Sequence, residues 1–328
     1  TILLIWVYTF RGGMKTIIWT DTFQTMAMLL AVGITIWLIS DELNLGYQGM
    51  VEMVQASDYS NVFVWDFKAG NYFLKQFLTG AFITIAMTGL DQDMMQKNLS
   101  CKNIKDAQKN MFWFNVILVV VNVLFLTLGV LLYTYAETKG IALPERADDV
   151  YPFLALNHFS AFLGIVFILG IIAITYASAD SALTALTTSF CVDFLNFKDK
   201  SEHERIRQRH WVHAGMSMVM VLLVIAFDAL KSASVISTMF TVAGYTYGPL
   251  LGLYTFGLYT KRTIRDQYVP VICLVAPILT YIVSYNSVDW LWGYVFGYEV
   301  LLLNSFITFS GLMALSKGRV GELELVKR

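Results

Sequence analysis

Charge is scarce in this sequence. Asp, Glu, Lys and Arg make up 14% of its 328 residues, whereas soluble domains average about 25%. The 23 basic and 24 acidic residues nearly cancel, which gives no indication of nucleic acid as a partner. The three cysteines have the spacing of neither a disulfide framework nor a zinc site. Of the four histidines, His210 and His213 could share a helix face, but no third metal ligand lies near them in sequence.

Apolar residues, by contrast, reach 57% and aromatic residues 15%, which is the composition of a polytopic α-helical membrane protein. Crossing a bilayer as a helix takes about 20 residues, and eight apolar runs are long enough. They lie at about 17–40, 73–95, 111–135, 161–190, 211–229, 236–260, 268–284 and 290–316.

The distribution of lysine and arginine predicts the orientation of these spans. We number the connections in chain order, with the segment before residue 17 as the first. The odd-numbered connections together hold 18 lysines and arginines. The alternate connections hold four. Because basic residues concentrate on the cytoplasmic side, both ends of the chain are expected in the cytoplasm.

The clearest case of a carboxylate well inside a predicted span is at position 180. Asp180 lies in ASADSALTALTTSF (177–190), where hydroxyl side chains are unusually dense, and an ionisable group in the bilayer centre costs about 2.5–3.5 kcal/mol. Two structural explanations are open, since small hydroxylated residues favour close helix packing and Asp180 could also face water. The functional hypothesis is a site for a hard cation, because carboxylate and hydroxyl oxygens are its preferred ligands.

Asp21 has two interpretations. Followed by Gln24, it matches a capping box that would start a helix there, or its carboxylate serves a site inside the membrane. Glu299 in the last span is isolated and receives no role. Glycines and a proline predict breaks, which can hold substrate and ions, although an ordinary proline kink is the alternative; they are Gly80 and Gly89 in 73–95 and Gly244, Gly248, Pro249 and Gly252 in 236–260.

The connection 136–160 is one of two long outer segments. Pro144 and Pro152 interrupt it, and its apolar stretch 151–156 could pack back onto the bundle. A surface loop and a lid are both open interpretations.

Several segments together resemble one family. GGMKTIIWTDTFQT (12–25), GLDQDMMQKNLSCKNIKDAQKN (89–110) and ASADSALTALTTSFCVDF (177–194) closely resemble the sodium:solute symporter family in order and spacing. ADDVYPFLALNHF (147–159) and GPLLGLYTFGLYTKR (248–262) fit it as well. The resemblance extends over essentially the whole chain and favours the bacterial members that carry sugars or sialic acids.

This resemblance implies the leucine-transporter-type fold, an all-α bundle of two inverted five-helix repeats. Span 17–40 would be the last helix of the first repeat, 73–260 the complete second repeat, and the last two spans additions. The opening run TILLIWVYTF (1–10) has no initiator Met and is too short to span. The chain is therefore expected to lack most of the first repeat, including a broken helix that contributes to the sodium and substrate sites.

The resemblance also implies a principal sodium site. With Asp193 as the anchor in the eighth core helix, the hydroxyl pair of that site falls on Ala177 and Ser178, and its backbone carbonyl ligand falls on Ile174. Ala177 departs from the pattern, so one side-chain oxygen is missing or is supplied elsewhere.

Some members bind a second sodium between the eighth helix and an aspartate of the fifth. The matching positions are Asp180, Ser181 and Asp21, and Asp180 replaces a neutral hydroxyl residue. Two facing carboxylates repel unless a cation or a shared proton lies between them. Either the second site is more acidic than usual, or Asp180 stays protonated. By approximate alignment, substrate contacts fall near Thr84 and Thr241, and the inner-gate aromatic falls on Met87, another departure.

The function implied by the resemblance is sodium-coupled symport of a small organic solute, a sugar or sialic acid, across a bacterial inner membrane. Sodium would be the cofactor and the lipid bilayer the setting, with no nucleic acid, no obligatory protein partner and no catalytic residues. A solute sensor or channel-like protein of the same fold, a proton-coupled transporter, and an enzyme using an Asp21–Asp180 dyad are the alternatives.

Overall fold

A computed structural model describes residues 14–195, 200–229 and 234–319, and this part of the chain is predominantly helical. An antiparallel pair of short strands, β1 (Arg262–Thr263) and β2 (Lys317–Arg319), and 3₁₀ turns at Asp58–Ser60 and Asp266–Tyr268 accompany the helices. The opening run 1–10 lies outside the described residues. The helices are α1 (Met14–Glu42), α2 (Tyr47–Ala56), α3 (Phe73–Gly89), α4 (Gln92–Leu99), α5 (Ile104–Lys139), α6 (Ala147–Asn157), α7 (Ala161–Asp193), α8 (Glu202–Ala229), α9 (Val235–Tyr259), α10 (Val269–Tyr285), α11 (Ser287–Trp290) and α12 (Val300–Leu315).

Several of these helices have the length and composition of membrane spans. Helices α3 and α4 would add one more if they form a single span bent by 59°, whereas α12 is apolar but has 16 residues. Large apolar side chains such as Leu126 and Ile165 are exposed on the helix surfaces, as expected for side chains that face lipid. The fold is therefore that of an all-α polytopic membrane protein, while the count of eight spans stays a prediction. The segments that qualify alone are Trp19–Glu42, Ile104–Lys139, Ala161–Asp193, Glu202–Ala229 and Asp266–Tyr285.

One of the two predicted breaks is present. Helix α3 continues through Gly80 and ends at Gly89, and Leu90 and Asp91 separate it from α4. Helix α9, however, runs without interruption through Pro249, so the break predicted within 236–260 is wrong.

The last predicted span also begins later than expected. Its helix α12 starts at Val300 rather than near 290. Trp292 and Gly293 adopt left-handed backbone conformations, with φ of 52° and 86°. Left-handed residues end a helix, and they separate the short helix α11 from α12.

The chain divides into two compact units. Among the described residues, the first takes in 14–60, 95–195, 200–229 and 234, and the second takes in 61–94 and 235–319. In the first unit, α1 and α7 run antiparallel, since Gly170 lies against Ala31 while Ser181 contacts Asp21. A Cβ on Gly170 would lie 2.8 Å from the Cβ of Ala31, so the absent side chain is what allows this close approach.

The connection 136–160 packs against helices of the first unit, to which it belongs. Val150 and Leu154 of α6 join a buried cluster with residues of α1 and α5, and Leu154 is fully buried. The hydroxyl of Tyr151 lies 2.6 Å from Oγ1 of Thr35, and burial raises the pKa of this tyrosine. The prediction that the apolar stretch 151–156 can lie against the bundle is confirmed.

The second unit is built around the pair α9 and α12. Gly248 and Gly252 of α9 face Asn304 and Thr308 of α12, and a Cβ on Gly252 would lie 2.7 Å from the Cβ of Thr308. Asn304 and Thr308 are completely buried. The glycines therefore let the two helices approach closely, as small residues do in membrane proteins.

Candidate functional site

Asp21 lies inside helix α1 rather than at its start. The helix begins at Met14, so the capping-box interpretation of Asp21 and Gln24 is wrong. The physical reason is in the sequence: no glycine or proline follows Gly13 until Gly33, so nothing prevents the helix from starting before Asp21. An interior position leaves the Asp21 side chain to interact with other helices.

The carboxylate of Asp21 contacts side chains of α7 and α4 that, like α1, belong to the first unit. The Oγ of Ser181 in α7 donates a hydrogen bond of 3.1 Å to Oδ2 of Asp21. The ammonium of Lys97 in α4 lies 3.1 Å from the same oxygen. The side chains of Asp21 and Lys97 retain 19% and 28% of their exposure. Two of the predicted sodium ligands, Asp21 and Ser181, are thus in direct contact.

The second oxygen of this carboxylate is suited to a cation. Oδ1 of Asp21 is buried and accepts no hydrogen bond from the residues that the structure describes. A buried carboxylate oxygen without a donor carries a desolvation cost, and a hard cation is a ligand that offsets it. The residues present therefore fit a small cation at Asp21.

Asp180 is completely buried in α7, directly before Ser181. Thr184 and Thr187, one and two turns further along, are buried as well. Thr187 and Thr188 donate to carbonyl oxygens of their own helix, at 2.7 and 2.8 Å. The hydroxyls of this stretch therefore have two kinds of partner: these threonine hydroxyls bond within α7, whereas the Ser181 hydroxyl bonds to the carboxylate on α1.

The predicted principal sodium ligands lie elsewhere on α7. Ser178 is exposed and the Ile174 residue is 37% exposed, and the two are one turn apart on the same face. The structure does not bring them into the Asp21–Ser181 contact. The side chain of Ala177 lies outside the described residues.

The predicted substrate and gate residues belong to the second unit. Thr84 on α3 and Thr241 on α9 are exposed, and each donates a 2.9 Å hydrogen bond to a carbonyl of its own helix. Met87 is 39% exposed. In the described part of the chain, no hydrogen bond joins Thr84 to Thr241.

The sequence pattern did not identify Lys97 as a site residue. Lys97 counted as one of the basic residues of an inner connection, and nothing local distinguishes it from Lys102 or Lys105. The position of Lys97 depends on where α4 starts, directly after the break that follows Gly89. Asp91 caps this helix by accepting a 3.1 Å hydrogen bond from the Met94 N–H. The break was predicted, but its consequence for Lys97 was not.

A second charged contact, in the second unit, was also missed. Lys75 is buried at the start of α3, with its ammonium 3.1 Å from Oε1 of Glu299 and 2.8 Å from the Val295 carbonyl oxygen. The same Oε1 accepts hydrogen bonds from the Tyr294 hydroxyl and the Gly297 N–H. Glu299 is therefore not isolated: it ties the segment before α12 to α3.

The described residues contain no group of three or more His, Cys, Asp or Glu that could hold a metal ion. His213 instead lies beside Thr187, with Nδ1 at 3.3 Å from the hydroxyl oxygen. This arrangement connects α8 to α7 in the first unit. It supplies no evidence for a transition-metal site, whose ligands would have to converge.

Comparison with known proteins gives several sodium-dependent transporters as relatives. Human sodium-coupled monocarboxylate transporter 2 is 26% identical over 266 residues, covering 76% of this chain and 42% of the relative. The human sodium/iodide cotransporter is 25% identical, covering 77% and 40%. The sodium/sialic acid symporter NanT of Aliivibrio fischeri is 23% identical, covering 78% and 52%. The chain thus spans about half or less of the length of these relatives.

The relatives are named as transporters rather than enzymes, in agreement with the membrane-span helices. The sequence profile of one family, described as the sodium:solute symporter family, matches residues 1–266. The match includes α1, α4 and α7, the three helices that meet at Asp21, and stops before α10. This chain belongs to the sodium:solute symporter family.

Proposed function

We propose that the protein containing this chain is a sodium-coupled symporter of a small organic solute in a bacterial inner membrane. The observation that carries the proposal is the contact of Asp21 with Ser181, a carboxylate and a hydroxyl from two helices that meet inside an apolar bundle. Oxygen atoms of this kind are ligands for a hard monovalent cation. The family membership and the sodium-dependent relatives support the choice of sodium.

We assign one sodium to Asp21, Ser181 and Asp180. Asp21 and Ser181 are in contact, and Asp180 brings a second carboxyl group to the buried part of α7. A cation among these groups would offset the repulsion between the two carboxylates. A second sodium is assigned to Ser178 and the Ile174 carbonyl, because both residues are exposed and leave room for further oxygen ligands.

The solute is assigned to the face of α3 and α9 that carries Thr84, Met87 and Thr241. The two threonine hydroxyls donate to their own helices, and their oxygens keep lone pairs that can accept a hydrogen bond from a solute hydroxyl. Carboxylate-bearing solutes and sugars are the classes to test, because two relatives are named for monocarboxylates and sialic acid.

Coupling requires the ion to bind the two access states with different affinity. Sodium at Asp21 would link α1 to α7 and favour the outward-open state, in which the solute site is complete. Inward release would then be driven by low internal sodium and by the membrane potential, which contributes about 2.3 kcal/mol per charge per 100 mV. The charge distribution of the connections supports an orientation with both ends of this chain in the cytoplasm.

The test is solute uptake into proteoliposomes by protein expressed from its complete gene. Sialic acids, sugars, monocarboxylates and amino acids are each measured with and without an inward sodium gradient. Asp21→Asn and Asp180→Asn are compared with the parent, and Asp58→Asn, in an outer connection, is the matched control for loss of a carboxylate. Sodium-dependent uptake that falls in the first two variants and not in the control supports the proposal.

Two outcomes would contradict it. Uptake that ignores sodium but follows a proton gradient would replace the sodium assignment by proton coupling, with Asp180 as a candidate carrier. Downhill flux that no gradient can drive uphill would favour a channel-like protein of the same fold.

A further inference from the structure

The ammonium of Lys97 and the hydroxyl of Ser181 address the same oxygen of Asp21, each at 3.1 Å. Lys97 is the cationic partner of the carboxylate to which the proposed function assigns sodium. Ammonium and sodium are both monovalent cations, and both interact favourably with a carboxylate that is mostly removed from water.

Electrostatics disfavours both cations on this carboxylate at once. Two positive charges in contact with one carboxylate group would lie within a few ångströms of each other, and their repulsion is stronger in a partly buried site than in water. The side chain of Lys97 has four rotatable methylene groups and keeps 28% of its exposure. It can therefore leave Asp21 without any movement of the helix that bears it.

The position of Lys97 in the chain gives this exchange a structural consequence. Lys97 lies in the last turn of α4, the short helix that follows the break after Gly89. Asn98, the next residue, donates to Met111 Sδ and accepts from Asn110, both in α5. The backbone of α4 at this point is thus held to α5, while the ammonium bridges to α1.

We propose that Lys97 is a tethered cation that competes with sodium for Asp21. This inference rests on the proposed function. When sodium is absent, the ammonium neutralises Asp21 and links α4 to α1. When sodium binds, it displaces the ammonium and breaks that link. Lys97 therefore lowers the affinity for sodium and favours its release. It also keeps the negative charge of Asp21 neutralised while the ion-free transporter returns to its other access state.

The first measurement is equilibrium binding of radioactive sodium to the purified protein, expressed from its complete gene, in detergent. Lys97→Gln removes the competitor, so sodium should bind at least about fivefold more tightly, the lower end of the usual coupling between ligands. Lys97→Arg keeps the charge and should keep the weaker binding. Lys102→Gln, exposed and in the same inner connection, removes an equal charge away from Asp21 and measures the long-range electrostatic effect.

The second measurement follows the lysine itself in the unmutated protein. Acylation of Lys97 by an amine-reactive reagent is quantified by mass spectrometry with sodium and with choline, and Lys102 serves as the internal standard. Competition predicts that sodium increases the labelling of Lys97 relative to Lys102. Labelling that sodium leaves unchanged or decreases would overturn the proposal, even if Lys97→Gln failed to fold.

Asp21→Asn separates the two proposals. If sodium binding is the same in Asp21→Asn as in the parent, the sodium assignment at Asp21 fails, and with it the basis of the inference. If Asp21→Asn loses one bound sodium ion while Lys97→Gln binds sodium no more tightly than Lys102→Gln does, the site stands and the competition is refuted.

Discussion

The side-chain amide of Asn304 donates a 2.8 Å hydrogen bond to the carbonyl oxygen of Tyr245. This carbonyl would normally accept from the N–H of residue 249 in helix α9, but residue 249 is proline and has no N–H. The same amide lies 3.2 Å from the carbonyl oxygen of Gly244. A side chain of α12 thus satisfies the backbone that Pro249 leaves open, which explains how α9 stays continuous through a proline.

Replacing Asn304 with Leu should destabilise the second unit. Leucine has a similar volume but leaves the Tyr245 carbonyl buried without a donor, which costs about 1–3 kcal/mol. Thermal unfolding of the purified protein in detergent should therefore show a lower midpoint. Adding Pro249→Ala restores the helical N–H donor and should recover part of the loss. Equal midpoints for Asn304→Leu with and without Pro249→Ala would contradict this account.

Gly248→Ala tests the close approach of α9 and α12. A Cβ at this position would overlap the side chain of Asn304, and overpacking of this kind costs about 1–3 kcal/mol. Gly257→Ala is the matched control in the same helix, because a Cβ there meets no atom within 4 Å. Alanine is favoured over glycine in a helix by up to about 1 kcal/mol, so the control should keep or raise the unfolding midpoint while Gly248→Ala lowers it.

Glu299→Gln should strongly destabilise the second unit, because the Glu299 side chain is only 11% exposed. It leaves the ammonium of Lys75 buried without a charged partner, and breaking a buried pair in this way costs about 3–5 kcal/mol. Lys75→Met combined with Glu299→Gln should recover much of the stability, because no unpaired charge remains. The measurement is again the unfolding midpoint in detergent, with the double variant beside both single ones.

An exposed ion pair provides the comparison for Glu299. Nε of Arg146 lies 3.9 Å from Oδ2 of Asp149, and the two side chains are 39% and 53% exposed. Exposed pairs contribute about 0–1 kcal/mol, so Asp149→Asn should barely change the midpoint. If Asp149→Asn and Glu299→Gln had the same effect, burial would not be what gives the Lys75–Glu299 pair its importance.

The sequence predicted features that depend on local pattern. Long apolar runs predicted the helices, and Gly89 predicted the break that separates α3 from α4. The family resemblance selected Asp21 and Ser181, which are in contact. The capping box at Asp21 failed although its motif was present, because a motif does not show how far a helix extends before it.

Contacts between distant segments could not be predicted in this way. Lys97 meets Asp21, and Glu299 meets Lys75, only once several helices have packed, and a single sequence carries no record of such pairs. Asn304 is a similar case: Pro249 indicated that a carbonyl needed a donor, but not which helix would supply it.

Ser181→Ala tests the proposed cation site without changing any charge. The substitution removes the hydroxyl that contacts Asp21, so a sodium ion bound there would lose one oxygen ligand and the carboxylate would lose one donor. The half-saturating sodium concentration for uptake should rise about tenfold, which corresponds to about 1.4 kcal/mol. Thr188→Val, on the same helix, removes a hydroxyl that bonds within α7 and should leave that concentration unchanged. An equal rise in both variants would mean that the hydroxyls of α7 act through helix packing rather than through the ion.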